Sequence, residues 1–281
     1  MGSGAKDDGK SPSEMLKLHL TGDKATLLLT LHARAMDYRS RHSILNDRRA
    51  DEIVRSVDYD FESLKVFGNG SFMVVRAKQI DDWLKEFLKR NPNAVVLNLG
   101  CGLDTRVSRV DPSQGVSWYD LDFPEVIKVR RDFYTDRDGY KMIESPVTEP
   151  GWLDDIPKDR PTIVISDGMM EYLTESEAKA LLNRLTDHLD HGVIILDVMS
   201  SFGIESAKKN LKEGMGAEHR WAVDDVSKVD AMDPKLRRKD DLALFQRKCL
   251  SQLPMKYRLV FGLMSFSSRF KNMMHLLRYE F

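Results

Sequence analysis

Cysteine is scarce: Cys101 and Cys249 are the two in 281 residues, and neither stands in a CxxC or Cys/His spacing. That scarcity excludes a disulfide framework and a structural zinc site, predicts no bound metal, and suits a reducing, cytoplasmic compartment. Long apolar runs are missing too. None approaches the ~20 residues of a bilayer-crossing helix, and the opening MGSGAKDDGKSPSE is polar. A soluble chain without a membrane partner is expected, with residues 1–13 disordered or tag-like. Charge of one sign is also lacking, since 43 Lys and Arg face 44 Asp and Glu for a formal net charge of -1. No global field therefore recruits nucleic acid. The basic run Arg237, Arg238, Lys239 reads as a solvated loop. Finally, no Ser/His/Asp, Cys/His or HExxH constellation stands out, which argues against covalent-nucleophile and metal-hydrolase chemistry.

What is present organises into alternating elements. Residues 14–60 read as helical, with ATLLLTLHARAMDY and DRRADEIVRSV amphipathic,. AKQIDDWLKEFLKR places Ile80, Trp83, Leu84, Phe87 and Leu88 on one helix face and ends near NPN,. The rhythm then changes to short apolar runs, AVVLNLG, VSWYDLD, YKMIESPV, PTIVISDG and GVIILDVM, separated by helix-length segments. This is a βαβ series and predicts an α/β fold with a parallel sheet covered on both faces. In TESEAKALLNRLTDHLDHG, Thr174 and Glu177 form a capping-box signature ahead of the stripe Ala178, Leu181, Leu182, Leu185, Leu189. After Met199 the pattern becomes charged and irregular, and a final antiparallel pair is expected from YRLVFGLMSF and MMHLLRYEF. The reading is a helical cap and lead-in helix over 14–92 and a core over 93–281. That core is a seven-stranded, mostly parallel, Rossmann-like sheet ending in an antiparallel strand, with a substrate-covering insertion at about 200–250.

Such sheets bind ligands at the carboxyl ends of their strands. GCGLDT leaves the first parallel strand, where Gly100 and Gly102 let the backbone turn tightly and approach a ligand closely. A dinucleotide fingerprint would place a third small residue at Thr105, and Asp104 stands where negative charge would repel phosphate. The turn therefore favours a zwitterionic, ribose-bearing cofactor such as S-adenosylmethionine over NAD or FAD. About one element downstream, WYDLDFPEV supplies Asp120 and Asp122 on the same side of a strand. Asp122, nearer the strand end, is assigned to ribose, and the other acid to capping the helix that Pro124 begins.

VVLNLGCGLDTR, WYDLDFPEVI, TEPGWL and ISDGMMEYLTESEA, in that order and spacing, resemble the leucine carboxyl methyltransferase family. The likeness runs from about residue 24 to the C-terminus and leans to the branch resembling the tetracenomycin polyketide carboxyl methyltransferase. It implies a class I, S-adenosylmethionine-dependent O-methyltransferase. By that resemblance Arg76 binds the cofactor's carboxylate, Gly100 and Gly102 form the cofactor turn, Asp122 binds ribose and Asp167 pairs with the α-amino group. The family's Asp-Leu pair near the adenine is replaced by Pro146 and Val147, so Ser145, Val147 or backbone groups are left to meet the base.

The implied reaction is in-line methyl transfer to a carboxylate, which is ionised at neutral pH and needs no general base. A small-molecule, polyketide-like acceptor is favoured over a protein C-terminus; a non-catalytic cofactor-binding regulator or scaffold is the alternative of another class. A phenol would need a base, for which His219 is the candidate. Arg220 is the candidate to orient an anionic acceptor, Trp221 to form an apolar wall, and Met169, Met170, Tyr172, Met199 and Phe202 to shape the acceptor pocket.

Overall fold

The computed structural model describes residues 16–17, 26–61, 64, 70–212, 218–246, 249, 251–253 and 255–281; the stretch 1–13 lies outside the described residues. Helix α1 (Leu27–Tyr38) buries Leu28, Leu31 and Ala35, the side that its apolar spacing selects,. The carboxylate of Asp47 accepts the Ala50 amide at 3.0 Å and caps α2 (Arg48–Ser56). Strand β1 (Leu16–Lys17) pairs in parallel with β2 (Val57–Asp58), extended pieces absent from the helical reading of 14–60. Helix α3 (Ser71–Arg90) buries Ile80, Trp83 and Leu84 as its spacing requires, and begins early enough to carry Arg76.

Strands β3 (Val95–Leu99), β4 (Ser117–Asp122), β5 (Tyr140–Glu144), β6 (Thr162–Ser166) and β7 (Gly192–Met199) pair in parallel. Strands β8 (Arg237–Ala243) and β9 (Met274–Glu280) complete a seven-stranded sheet of order β5-β4-β3-β6-β7-β9-β8, in which β9 runs antiparallel to both neighbours. Successive side chains leave opposite faces of a strand. On β3, Val95, Leu97 and Leu99 join one core with helix α6 (Glu175–His188), whereas Val96 joins a second core with the cap helices. The capping box at Thr174 and Glu177 starts α6, and Ala178, Leu181, Leu182 and Leu185 form its buried side.

The C-terminal pairing differs from expectation. YRLVFGLMSF is not a strand: Met255–Met264 is a helix anchored by Phe261, with Leu259 and Leu263 exposed. The partner of β9 is instead β8, RRKDDLA, whose basic start read as a loop. Its pairing is carried by backbone hydrogen bonds and cross-strand charges: Arg278 on Asp240 at 2.6 Å, His275 on Asp241 at 2.5 Å and Lys239 on Glu280 at 2.8 Å. Charged residues suit an edge strand because they discourage further strand addition, and they remove the apolar alternation by which a strand is recognised in sequence.

Sheet order reverses direction between β3 and β6, so the loops leaving these two strands diverge and open a crevice at their carboxyl ends,. Helices α4 (Arg106–Val110) and α5 (Pro124–Arg130) follow β3 and β4, and α7 (Ser201–Lys212) follows β7. Among the described residues no helix is long and apolar enough to cross a membrane.

Candidate active site

A cavity of about 420 Å³ lies over this crevice, walled by the loops after β3, β4, β5 and β6 and by Thr26, Leu27, Thr30 and Arg34 of the α1 side. Its volume falls in the ~300–1,000 Å³ range of small-molecule and cofactor sites. Gly100 and Gly102 adopt φ of 62° and 49°, the left-handed region in which a Cβ is strained. Space is short as well: a Cβ on Gly100 would lie 2.8 Å from Met169 Cγ, and one on Gly102 3.1 Å from Leu27 Cβ.

Of the two acids of β4, Asp122 reaches the cavity wall. Its carboxylate accepts the amides of Gly102 and Phe123, each at 2.7 Å, which ties the glycine turn to the next strand. Asp120 is fully buried and does not cap α5. It accepts from Tyr140 Oη at 2.6 Å, Trp118 Nε1 at 2.9 Å and Asn98 Nδ2 at 2.8 Å, and pairs with Arg130. Arg130 in turn donates to the carbonyls of Gly102 at 3.1 Å and Asp104 at 2.7 Å. Asp120 thus supports the turn from beneath.

Asp104 does not present a bare negative charge. Arg106 and Arg109 hydrogen-bond its carboxylate and Arg34 lies 3.7 Å away; burial opposes ionisation, yet these arginines hold the carboxyl far below its usual range,. Charge repulsion at Asp104 is therefore no ground for disfavouring a dinucleotide. The filled position of the third small residue remains one, since Thr105 is fully buried there. The spacing Asp104, Arg106, Arg109 contained this local pairing; the long-range partners Asp47, Asp81 and Asp197 carried no sequence signal beyond an acid interrupting the apolar strand β7.

Arg76 lines the cavity with 5% exposure and sits between two acids, Nε 2.6 Å from Asp167 and Nη1 2.7 Å from Asp197. Asp167 also receives Arg106 Nη2 at 2.7 Å. Burial raises its proton affinity, but the two arginines prevail and keep it ionised. The Arg76–Asp167 contact is close yet poorly aligned, leaving Asp167 Oδ1 and Arg76 Nε buried without a hydrogen bond among the described residues. These orphaned atoms at a cavity wall suit a ligand with both ammonium and carboxylate groups. With Asp122 on the cavity wall and the apolar Pro146 and Val147 beside Ser145 at the β5 end, the residues fit S-adenosylmethionine.

Tyr172, Leu173, Glu177 and Arg220 also line the cavity. Tyr172 Oη lies 3.4 Å from Thr26 Oγ1. His219 is half-buried and stacks on Tyr172, ring centroids 5.2 Å apart, rather than lining the cavity; burial and Lys208 lower its pKa. Trp221 belongs to the α6-side core and forms no part of the wall, and Met170 and Met199 are likewise core residues, while Phe202 is exposed. Of the residues expected to shape the acceptor pocket, Met169 and Tyr172 line the cavity. The Arg220 and Trp221 amides donate to the Glu171 carbonyl at 2.8 and 3.4 Å. Glu171 went unnoticed in the sequence. Its side chain is buried near Arg76 and Asp197, with Oε2 unpartnered among the described residues.

Residues 27–138 match the family model for leucine carboxyl methyltransferase. The chain is 38% identical over 222 residues to the tetracenomycin polyketide synthesis O-methyltransferase TcmP of Streptomyces glaucescens, covering 78% of this chain and 82% of that protein. It is 33% identical over 244 residues to the S-adenosyl-L-methionine-dependent methyltransferase dpfgK of Gibberella zeae, covering 79% and 82% respectively. A solved Thermobifida fusca YX protein assigned as a methyltransferase superposes with a TM-score of 0.58 at 13% identity, over 92% of this chain and 94% of that one.

Proposed function

Because the chain belongs to the leucine carboxyl methyltransferase family and is thereby an S-adenosylmethionine-dependent O-methyltransferase, we propose that its acceptor is the carboxylate of a small, polyketide-like molecule. The observation that carries this reading is the composition of the acceptor end: its wall offers a cation, Arg220, and no histidine among the described residues. Glu177 is a weak base, because the amide and hydroxyl of Thr174 hold its carboxyl below the usual range. A carboxylate with a pKa of ~4 arrives ionised and needs no base, whereas a phenol at ~10 would. The name of the Streptomyces relative, an O-methyltransferase of polyketide synthesis, supports the acceptor class.

When bound, S-adenosylmethionine supplies an electrophilic methyl group on its sulfonium sulfur. Asp122 would hold the ribose, Asp167 the ammonium group and Arg76 the carboxylate, with Val147 against the base. Arg220 orients the acceptor's anionic oxygen, while Tyr172 and Leu173 exclude water from its apolar part. Positioning of this kind contributes up to about 7–11 kcal/mol in well-oriented systems, so the side chains need only bind and align.

The test uses paired aromatic acceptors that differ in carrying a carboxylate or a hydroxyl, with the product examined by mass spectrometry before and after alkaline hydrolysis. An alkali-labile methyl ester is expected, formed at a rate that is flat above about pH 6 because the acceptor is already ionised. An alkali-stable methyl ether as the main product would overturn the carboxylate assignment, and transfer to neither acceptor class but to a peptide C-terminus would overturn the small-molecule one.

A further inference from the structure

Arg106 directly follows the cofactor turn, yet no part of it lines the cavity. It has no exposed surface, and its three guanidinium nitrogens serve three carboxylates from three parts of the chain. Nε donates to Asp81 of α3 at 2.7 Å, Nη1 to Asp104 of the glycine turn at 2.5 Å and Nη2 to Asp167 after β6 at 2.7 Å. Its own amide donates to Asp104 at 3.1 Å. We propose that Arg106 is a positioning residue for the cofactor's ammonium group: it fixes Asp167 relative to the glycine turn and braces both against α3.

The geometry separates this role from general support. Arg109 is buried in the same network and binds Asp81 at 2.8 Å, Asp47 at 2.8 Å and Asp104 at 3.2 Å, but has no contact with Asp167. Arg106 alone of the two reaches the wall acid. The other oxygen of Asp167 lies 2.6 Å from Arg76 Nε without a hydrogen bond between them, so Arg106 supplies the hydrogen bond that fixes the carboxylate and a guanidinium flanks it on each side. A buried carboxylate tends to take up a proton; two flanking guanidiniums keep it ionised and able to pair with an ammonium ion,. Lysine cannot replace Arg106 here, since an ammonium on a flexible stem lacks the planar fork that spans three acids at once.

This inference rests on the cavity holding S-adenosylmethionine, and the experiment keeps the two apart. Calorimetric titrations of S-adenosylmethionine and of 5′-methylthioadenosine, which lacks the amino-acid end, are run on wild type, Arg106→Lys and Arg109→Lys, with the melting temperature of each. Arg106→Lys is expected to weaken S-adenosylmethionine at least about tenfold, the size of one charge-assisted hydrogen bond, while methylthioadenosine affinity stays within about twofold. Arg109→Lys is expected to shift both ligands by the same factor. Equal shifts in Arg106→Lys, or the same selective loss in Arg109→Lys, would reduce Arg106 to scaffold and overturn the proposal. Should Arg106→Lys fail to fold, Asp81→Asn loosens both Arg106 and Arg109 from α3 without touching the cavity wall; because Arg109 is expected to move both ligands alike, a smaller loss of the same selectivity reports Arg106, and equal shifts there overturn the proposal too. Wild type that binds neither ligand overturns the cofactor reading itself and this inference with it.

Discussion

Around the glycine turn and the β6 end of the cavity, acids and arginines are buried, paired and tied to backbone turns, whereas Arg220 on the same wall is exposed and held through its backbone on the Glu171 carbonyl. The first arrangement leaves little freedom, because moving Asp167 or Asp104 would strand a buried charge. The second can adjust its side chains at small cost. A common cofactor calls for a fixed site and a variable acceptor for an adaptable one, so this division lets one scaffold keep its cofactor chemistry while its acceptor changes.

The sharpest way to break the comparison is to disturb the rigid end. Gly100→Ala places a side chain at φ 62° and 2.8 Å from Met169, a strain of roughly 1–3 kcal/mol before the clash is relieved. Cofactor affinity is expected to fall well over about tenfold, read by calorimetry alongside the melting temperature. An unchanged affinity would mean that the turn adapts as easily as the acceptor end. Asp122→Asn comes next. It keeps the shape but removes the charge that receives the Gly102 amide at 2.7 Å, and a loss of about 1.5–3 kcal/mol of cofactor binding is expected, with the acceptor KM unchanged.

The same division governs what could be read from the sequence. Glycines, strand-end acids and the α6 capping box are set by local chemistry, and the structure places Gly100, Gly102 and Asp122 together through the β3–β4 register, Leu99 beside Leu121. Charged edge pairing in β8, the helix in Met255–Met264 and the partners of Arg76 depend on contacts between distant segments. Arg76 is separated by 121 positions from Asp197, and no local spacing announces such a pair. Asp104 illustrates the same limit: a lone acid in sequence suggested repulsion, but three-dimensional neighbours neutralise it.

A smaller effect is expected at the adaptable end. Arg220→Ala removes an exposed cation without disturbing the amide that anchors the loop. Acceptor KM is expected to rise by several-fold, in keeping with about 1 kcal/mol for an exposed charge pair, while cofactor affinity stays constant. If cofactor affinity fell as well, the two ends would be coupled more tightly than their burial suggests.

The smallest effect concerns Glu171, which joins the two ends: its side chain lies among Arg76 and Asp197, and its carbonyl holds Arg220. Burial and the Asp197 charge, opposed by Arg76, push its carboxyl up to about 8. A glutamate in the unfolded chain ionises near ~4.3, so between these values the folded protein keeps a proton that the unfolded chain has released. The associated stability is present below the unfolded value and is lost as pH rises through about 8,. Wild type should therefore melt at progressively lower temperature from about pH 5 to about pH 8 and level off above that,, and Glu171→Gln, which cannot ionise, should show a flatter profile by a few degrees. Parallel profiles would place the proton elsewhere. A flatter one would mean that alkaline pH strains the cofactor-side cluster at the residue that carries the acceptor loop, so that the rigid and adaptable ends respond to a single ionisation.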